Sequence, residues 1–187
     1  MSKLIVFNSI SLDGCFSGPD GDLQWAHQGS DDPEFAAFTA GNAGGDGLLV
    51  FGRKTHDLMV SYWPTPVALE QNREVAEGMN ALPKLVFSRT LEKSDWNNTT
   101  VVKGNPVAEL RKRKEEGREM TILGSGSLVA QLAPSGVIDE YQMILCPVVL
   151  GQGRTMFEGV PKPLPMAPTK LRQFRNGKVL LCYERAS

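Results

Sequence analysis

Apolar residues fall along this chain in two patterns. In one they run without alternating with polar residues, as in "LLVF" at 48–51, "KLVF" at 84–87 and "MTIL" at 120–123. Such runs are expected of parallel strands covered on both faces. Strands are predicted at Lys3 to Ile10, Gly47 to Phe51, Lys84 to Ser88, Thr99 to Val102, Met120 to Leu123, Ile138 to Cys146, Thr169 to Arg175 and Lys178 to Glu184. In the second pattern apolar positions return at helical spacing, as with His56, Leu58 and Met59 after one strand and Leu128, Val129 and Leu132 after another. Asp32-Pro33-Glu34 supplies a cap, a first-position proline and a first-turn acid for a helix through Asn42, and Asn105-Pro106 starts another whose "ELRKRKEEG" face is solvated. Strand and helix alternate, so the fold class is α/β, with an eight-stranded and mostly parallel sheet. Asn176-Gly177 between the last two strands is a two-residue hairpin signal, so the sheet finishes antiparallel. The proline-rich "VPKPLPMAP" reads as a surface loop.

Composition adds bounds. The 187 residues fit one domain over 1–187, and 41% hydrophobic with 22% charged residues is ordinary for a soluble globular protein. A formal charge of -1 gives no global field for nucleic acid or an acidic membrane, so an anion site here is a local cluster of cations. Cys15, Cys146 and Cys182 are odd in number and far apart, and are read as reduced and buried rather than as a disulfide framework or thiolate metal site. "KLIVFNSI" is too short for a signal peptide and no apolar run approaches a membrane span, which implies a cytoplasmic protein. His27 and His56 are the only histidines, which leaves little material for a metal site or a Ser-His-Asp triad.

The chemistry gathers where strands end. "LLVFGRKTHDLM" runs from a buried strand through Gly52, Arg53, Lys54 and Thr55 into a helix, the arrangement that binds an anion at free backbone N–H groups. "KLVFSRT" ends its strand in Ser88 and Arg89, a hydroxyl and a planar fork of donors. "TILGSGSLVAQL" places Gly124, Ser125, Gly126 and Ser127 at a third strand end, though it is neither a Rossmann fingerprint nor a P-loop. Each is also an ordinary strand end or tight connection when taken alone. Jointly they indicate a dinucleotide, because ligands of open α/β sheets lie beyond the carboxyl ends of the strands.

In order along the chain, "NSISLDGCFSG", Trp25, "VFGRKTHDLM", "KLVFSRT", "ILGSGSLVAQL" and "IDEYQMILCPVVLGQGRTMF" resemble the dihydrofolate reductase-like superfamily. Within it they are most similar to the C-terminal reductase domain of the bifunctional riboflavin deaminase-reductase and its free-standing relatives. The resemblance spans roughly Lys3 to Tyr183 and implies that fold, in three layers, and an NADPH-dependent oxidoreductase. It implies that Gly52, Arg53, Lys54, Thr55, Ser88, Arg89, Gly124, Ser125, Gly126 and Ser127 bind the cofactor. "SLDGCFSGPDGDLQW" becomes a lid, with Asp13 at its base, and Ser11, Trp25 and Arg154 become substrate-side residues. Among Asp31, Asp32 and Glu34, Glu34 best matches the acid that contacts the pterin ring in dihydrofolate reductases, and equally suits the first turn of a helix. Glu34 and Asp13 are thus the implied catalytic acids, and no metal is implied. The implied substrate is a riboflavin precursor, 5-amino-6-(5-phosphoribosylamino)uracil, or a pterin or folate, and the implied assembly is a homodimer. Where the riboflavin-pathway reductases carry Asp-Asn-Pro and Leu-Thr-x-Arg, this chain has "RKTHDLMVSYWP". The alternative is a dinucleotide-binding or oligomerising module of the same fold without turnover.

Overall fold

The computed structural model describes residues 2–29, 32–43 and 46–186, so Asp31 lies outside the described residues. Its strands are β1 (Leu4–Ile10), β2 (Cys15–Ser17), β3 (Leu48–Gly52), β4 (Lys84–Phe87), β5 (Thr99–Val102), β6 (Met120–Leu123), β7 (Glu140–Leu145), β8 (Arg154–Thr155), β9 (Met166–Gln173) and β10 (Val179–Arg185). Its α-helices are α1 (Pro33–Ala43), α2 (Arg53–Tyr62), α3 (Pro66–Gln71), α4 (Arg73–Ala81), α5 (Pro106–Glu115) and α6 (Gly126–Leu132).

The unbroken apolar runs become the middle of an eight-stranded sheet of order β5-β4-β3-β6-β1-β7-β10-β9. Strands β5 to β7 of that order are parallel, and β10 pairs antiparallel with both β7 and β9. Alternate residues of one strand serve opposite faces. Leu48 and Val50 pack with Leu110 of α5 and Leu128, Val129 and Leu132 of α6, whereas Leu49 and Phe51 pack with Val75 and Met79 of α4 and with Trp96. Farther along this second face, Phe35 of α1 joins Ile144, Leu180 and Phe174. Full burial of each such side chain contributes roughly 1.5–3 kcal/mol. That burial holds even α5, whose outer face is charged: Leu110 is fully buried while Arg113 pairs with Glu109 and Glu116 along the helix.

The capping residues act as their positions imply. Asp32 Oδ1 accepts from the Glu34 and Phe35 amides at 2.9 and 3.3 Å, and Asn105 Oδ1 accepts from Val107 and Ala108 at 2.9 and 3.2 Å. All three cysteines are free and buried. Among the described residues no helix is long and apolar enough to cross a membrane, and no group of His, Cys, Asp or Glu is placed to hold a metal.

Four features depart from the pattern reading. The connection from β3 to β4 carries α3 and α4 besides α2, because Asn72, at φ -154° and ψ 65°, separates two short helices that the spacing did not reveal. β2 and β8, with three and two residues, pair as a ribbon apart from the main sheet and are too short to show a period. β9 begins at Met166, so the end of the proline-rich stretch is strand; Pro168 is accommodated because β9 lies at the sheet edge. The hairpin loop is longer than two residues. Phe174 donates to Lys178 O at 2.9 Å, Gly177 donates to Phe174 O at 3.1 Å, and only Gly177, at φ 83°, has positive φ. A type I′ turn would need Asn176 there as well, and this geometry is that of a three-residue loop closed by a left-handed glycine. Tertiary partners account for the choice: the Asn176 amide donates to Asp32 Oδ2 at 2.9 Å and its Nδ2 to Gly29 O at 2.8 Å.

Candidate cofactor cleft

β1, β3, β4, β5 and β6 run parallel, so their carboxyl ends open on one edge of the sheet. A cleft of about 1430 Å³ lies there, lined by Asn8 and Ser9 of β1, Gly52 of β3, Phe87 of β4, Val102 of β5 and Leu123 of β6. Every cofactor residue implied by the sequence lines it: Gly52, Arg53, Lys54, Thr55, Ser88, Arg89, Gly124, Ser125, Gly126 and Ser127. Arg154 lines it too.

The two glycine turns interlock. Gly52 N donates to Ser125 Oγ at 2.7 Å, Ser125 Oγ donates to Thr55 Oγ1 at 2.9 Å, and Ser125 N donates to the same Thr55 oxygen at 2.9 Å. Ser125 has therefore used its hydroxyl proton on Thr55, and the Thr55 proton is the one left for a ligand. These bonds also hold Ser125 in the left-handed region, at φ 61° and ψ 50°, where a residue with a Cβ is strained by roughly 1–2 kcal/mol. Neither neighbouring glycine can carry a side chain unchanged. A Cβ on Gly124, at φ 60°, would lie 2.8 Å from Thr55 Cγ2, and one on Gly126 would lie 2.6 Å from Phe16 Cε1. Phe16 of β2 thus covers the second turn, and Arg154 of β8 stands over its ring at 5.9 Å.

Charge in the cleft is one-sided. Arg53, Lys54, Arg89, Lys103 and Arg154 line it, and among the described lining residues Asp20 is the single carboxylate. Lys103 pairs with Glu92 at 2.6 Å and Arg53 with Asp57 at 2.6 Å, whereas Lys54, Arg89 and Arg154 have no ion pair among the described residues. Ser88 Oγ accepts from the Thr90 and Leu91 amides at 3.2 and 2.9 Å, a turn that turns Arg89 out into solvent.

Four implied site residues do not line the cleft. Glu34 is in the first turn of α1 and its Oε1 accepts from Arg172 Nη2 at 2.6 Å and Nε at 3.2 Å, so it faces β9. Asp13 accepts from Ser11 Oγ at 2.6 Å and from the Leu150 and Gly151 amides at 3.1 and 2.8 Å. Those bonds, Ser11 first, hold its carboxyl down at about 2, so it is an anionic pin between two loops, not a store of protons at neutral pH. Ser11 is fully buried and serves the same pin, accepting from Cys15 N at 3.0 Å. Trp25 is buried with Phe35 and Phe174, its Nε1 donating to Asp22 O at 3.1 Å.

Several lining residues were not legible as site residues. Asn8, buried at the end of β1, donates to Gly124 O at 3.2 Å and so ties that strand to the second glycine turn. Its signal is the amide side chain that, with Ser9, interrupts "IVFNSI". His27, Gln131 and Gln152 also line the cleft. Burial, and then the charge of Lys178, lower the His27 imidazole below its ordinary value. Lys178 Nζ in turn donates to Ala26 O at 2.8 Å beneath the Phe35 ring, fixing the peptide that enters His27.

Strand order, an antiparallel finish and a cleft over the parallel strand ends define the dihydrofolate reductase-like class of α/β fold. The profile of the RibD C-terminal domain matches residues 2–180, and the chain belongs to that family. The Bacillus subtilis (strain 168) protein YyaP, itself uncharacterised, is 29% identical over 182 residues, covering 97% of this chain and 94% of that protein. Among solved structures, a Shewanella sp. PV-4 protein provisionally named for riboflavin biosynthesis superposes with a TM-score of 0.75 at 23% identity, covering 99% of both chains. Dihydrofolate reductase from Enterococcus faecalis, complexed with NADP(H) and RAB-propyl, gives 0.61 at 15% identity, covering 99% of this chain and 97% of that one.

Proposed function

We propose that the protein is an NADPH-dependent reductase of the cytoplasm that transfers a hydride to a small heterocyclic substrate. The observation that carries this reading is the cleft's charge: five cations against one carboxylate, set around two interlocked glycine turns at the strand ends. The residues fit a phosphorylated dinucleotide. Gly124 and Gly126 keep side chains away from the backbone, and about 1430 Å³ exceeds the volume a simple metabolite needs. Arg53, Lys54, Arg89 and Ser88 would hold the 2′-phosphate, while Gly52, Thr55 and the turn of Gly124, Ser125, Gly126 and Ser127 would hold the pyrophosphate and nicotinamide side. The cofactor, when bound, supplies the hydride, and the chain orients it and excludes water. Phe16 shields the second turn, and Arg154 faces an anionic substituent of the substrate.

The same charge pattern favours a phosphoribosylaminopyrimidine over a pterin. A protonated pterin edge calls for a carboxylate; Glu34 and Asp13 are engaged away from the cleft, and Asp20, the one carboxylate among the described lining residues, stands against five cations. That observation also favours one second reading, a dinucleotide-binding module of this fold without turnover. Loss of reduced nicotinamide absorbance, screened with phosphoribosylaminopyrimidines, pterins and dihydrofolate, separates the two: binding without oxidation supports the module. Titration with both cofactors tests the site. Wild type should bind NADPH at least roughly tenfold tighter than NADH, and Arg53→Ala or Arg89→Ala should remove most of that preference. Equal affinity of the wild type for both would reject the NADPH reading.

A further inference from the structure

Arg53 is held from two directions by residues that mostly stand behind the cleft. Its Nε donates to Asp57 Oδ2 at 2.6 Å and its Nη1 to Thr90 Oγ1 at 3.1 Å. The other Asp57 oxygen is 3.0 Å from His56 Nδ1, and His56 Nε2 is 2.8 Å from Ser94 Oγ. Together with the backbone of residues 90–94 these bonds close a ring. It joins the start of α2 to the segment leaving β4, and Arg89 stands at the beginning of that segment.

An exposed Arg–Asp pair four residues apart on a helix is worth little by itself. Here the Arg53 and Asp57 side chains are 42% and 48% exposed, but the imidazole holding the second carboxylate oxygen is only 4% exposed and lies 6.3 Å from the Trp96 ring. Proton counting is consistent around the ring. A carboxylate only accepts, so His56 Nδ1 carries a hydrogen, and its Nε2 is bonded to Ser94 Oγ, which also accepts from Trp96 N at 3.1 Å. Burial opposes charge on Asp57, yet the bonds from Arg53 and His56 outweigh it and keep the carboxyl below its ordinary range. The same three residue types make a hydrolytic triad elsewhere. Here the serine oxygen is capped by a backbone amide, and His56, Asp57 and Ser94 do not line the cleft.

We propose that His56, acting through Asp57 and anchored by Ser94, is a positioning residue that sets the preference for the cofactor 2′-phosphate. The ring fixes the Arg53 guanidinium with Nη2 left to the ligand, and fixes its spacing from Arg89. The inference rests on the reading of both arginines as 2′-phosphate ligands.

Calorimetric titration of NADPH and NADH tests it with His56→Phe, which keeps an aromatic ring beside Trp96 and loses both bonds. NADPH affinity should fall about five- to tenfold while NADH changes less than about twofold. His56→Asn, whose amide can replace Nδ1 as donor to Asp57, should recover most of the loss. In an Arg53→Ala background, His56→Phe should weaken NADPH no further. Ser94→Ala, on a surface segment, should move NADPH in the same direction and serves if His56→Phe does not fold. Equal losses for both cofactors, a loss that persists without Arg53, or unchanged NADPH affinity in a folded variant would overturn the proposal. A wild type indifferent to the 2′-phosphate would overturn the underlying reading as well, so the two failures are distinct.

Discussion

Replacing Thr55 by valine removes one oxygen and almost nothing else from the place where the two glycine turns meet. Thr55 Oγ1 accepts from Ser125 N and Ser125 Oγ, both at 2.9 Å. The serine hydroxyl can rotate to another acceptor, but the amide cannot, and Ser125 is buried. One lost hydroxyl bond costs about 1 kcal/mol and one stranded amide about 1–3 kcal/mol, the lower part of that range applying because Thr55 itself is half-exposed and water can reach its side. A loss of about 2 kcal/mol is expected. For a chain of this size that lowers the melting temperature by about 4–8 °C. Ser125 also loses what holds it at positive φ, so the turn should relax and both NADPH and NADH should bind more weakly, by similar factors. Scanning fluorimetry reads the first effect, and hydrogen exchange at the Ser125 amide reads its cause. Thr55→Ser keeps the oxygen and should retain the protection. A valine variant with the wild-type melting temperature and an undiminished Ser125 protection factor would show that the hydroxyl lock contributes nothing.

Three further outcomes are expected. Glu34→Gln removes an exposed pair with Arg172, so turnover on any identified substrate should stay within about twofold and stability should fall by no more than about 1 kcal/mol; a collapse of kcat would return Glu34 to the chemistry. Burial lowers the Lys84 ammonium from 10.5 to about 8, although Nζ donates to Asn80 O, Leu82 O and Asn97 O at 3.1, 2.6 and 3.1 Å. Between about pH 8 and 10.5 the unfolded chain keeps the proton that the folded chain releases, so stability should rise with pH by up to about 3 kcal/mol, and Lys84→Met should abolish that rise; parallel pH curves for the two proteins would refute it. We also expect a homodimer assembled through exposed apolar side chains such as Leu171, 70% exposed on β9, because Pro168 and Lys170 guard the strand's edge itself. Light scattering that returns the single-chain mass of 20.4 kDa at micromolar concentration would reject it.

What the sequence made legible was local. Leu48 to Met59 announces a buried strand, a glycine turn and a helix within a dozen residues, because burial on both faces removes the polar alternation and the helix restores a longer period. The cations of the cleft were equally accessible, since Arg53, Lys54 and Arg89 sit immediately beyond strands that the pattern already located. The acids were different. Whether Glu34 points at a ligand or at β9 depends on Arg172, 138 residues away, and Asp13 is taken by Leu150 and Gly151, at separations of 137 and 138. Nothing near either residue encodes those partners. The hairpin itself was legible, but its loop length was not: Asn176 carries a turn signal, and Asp32 and Gly29 settle its conformation from across the chain.

The position of β10 bears on how the chain can be shortened. It comes later in sequence than every other strand of the sheet, yet it lies inside the sheet, between β7 and β9. β7 and β9 are each paired to β10 and not to one another. Without β10, the apolar "YQMIL" of β7 is an open edge beside the parallel strands. Removing even a few residues of β10 should therefore leave an aggregating chain rather than a slightly shorter protein.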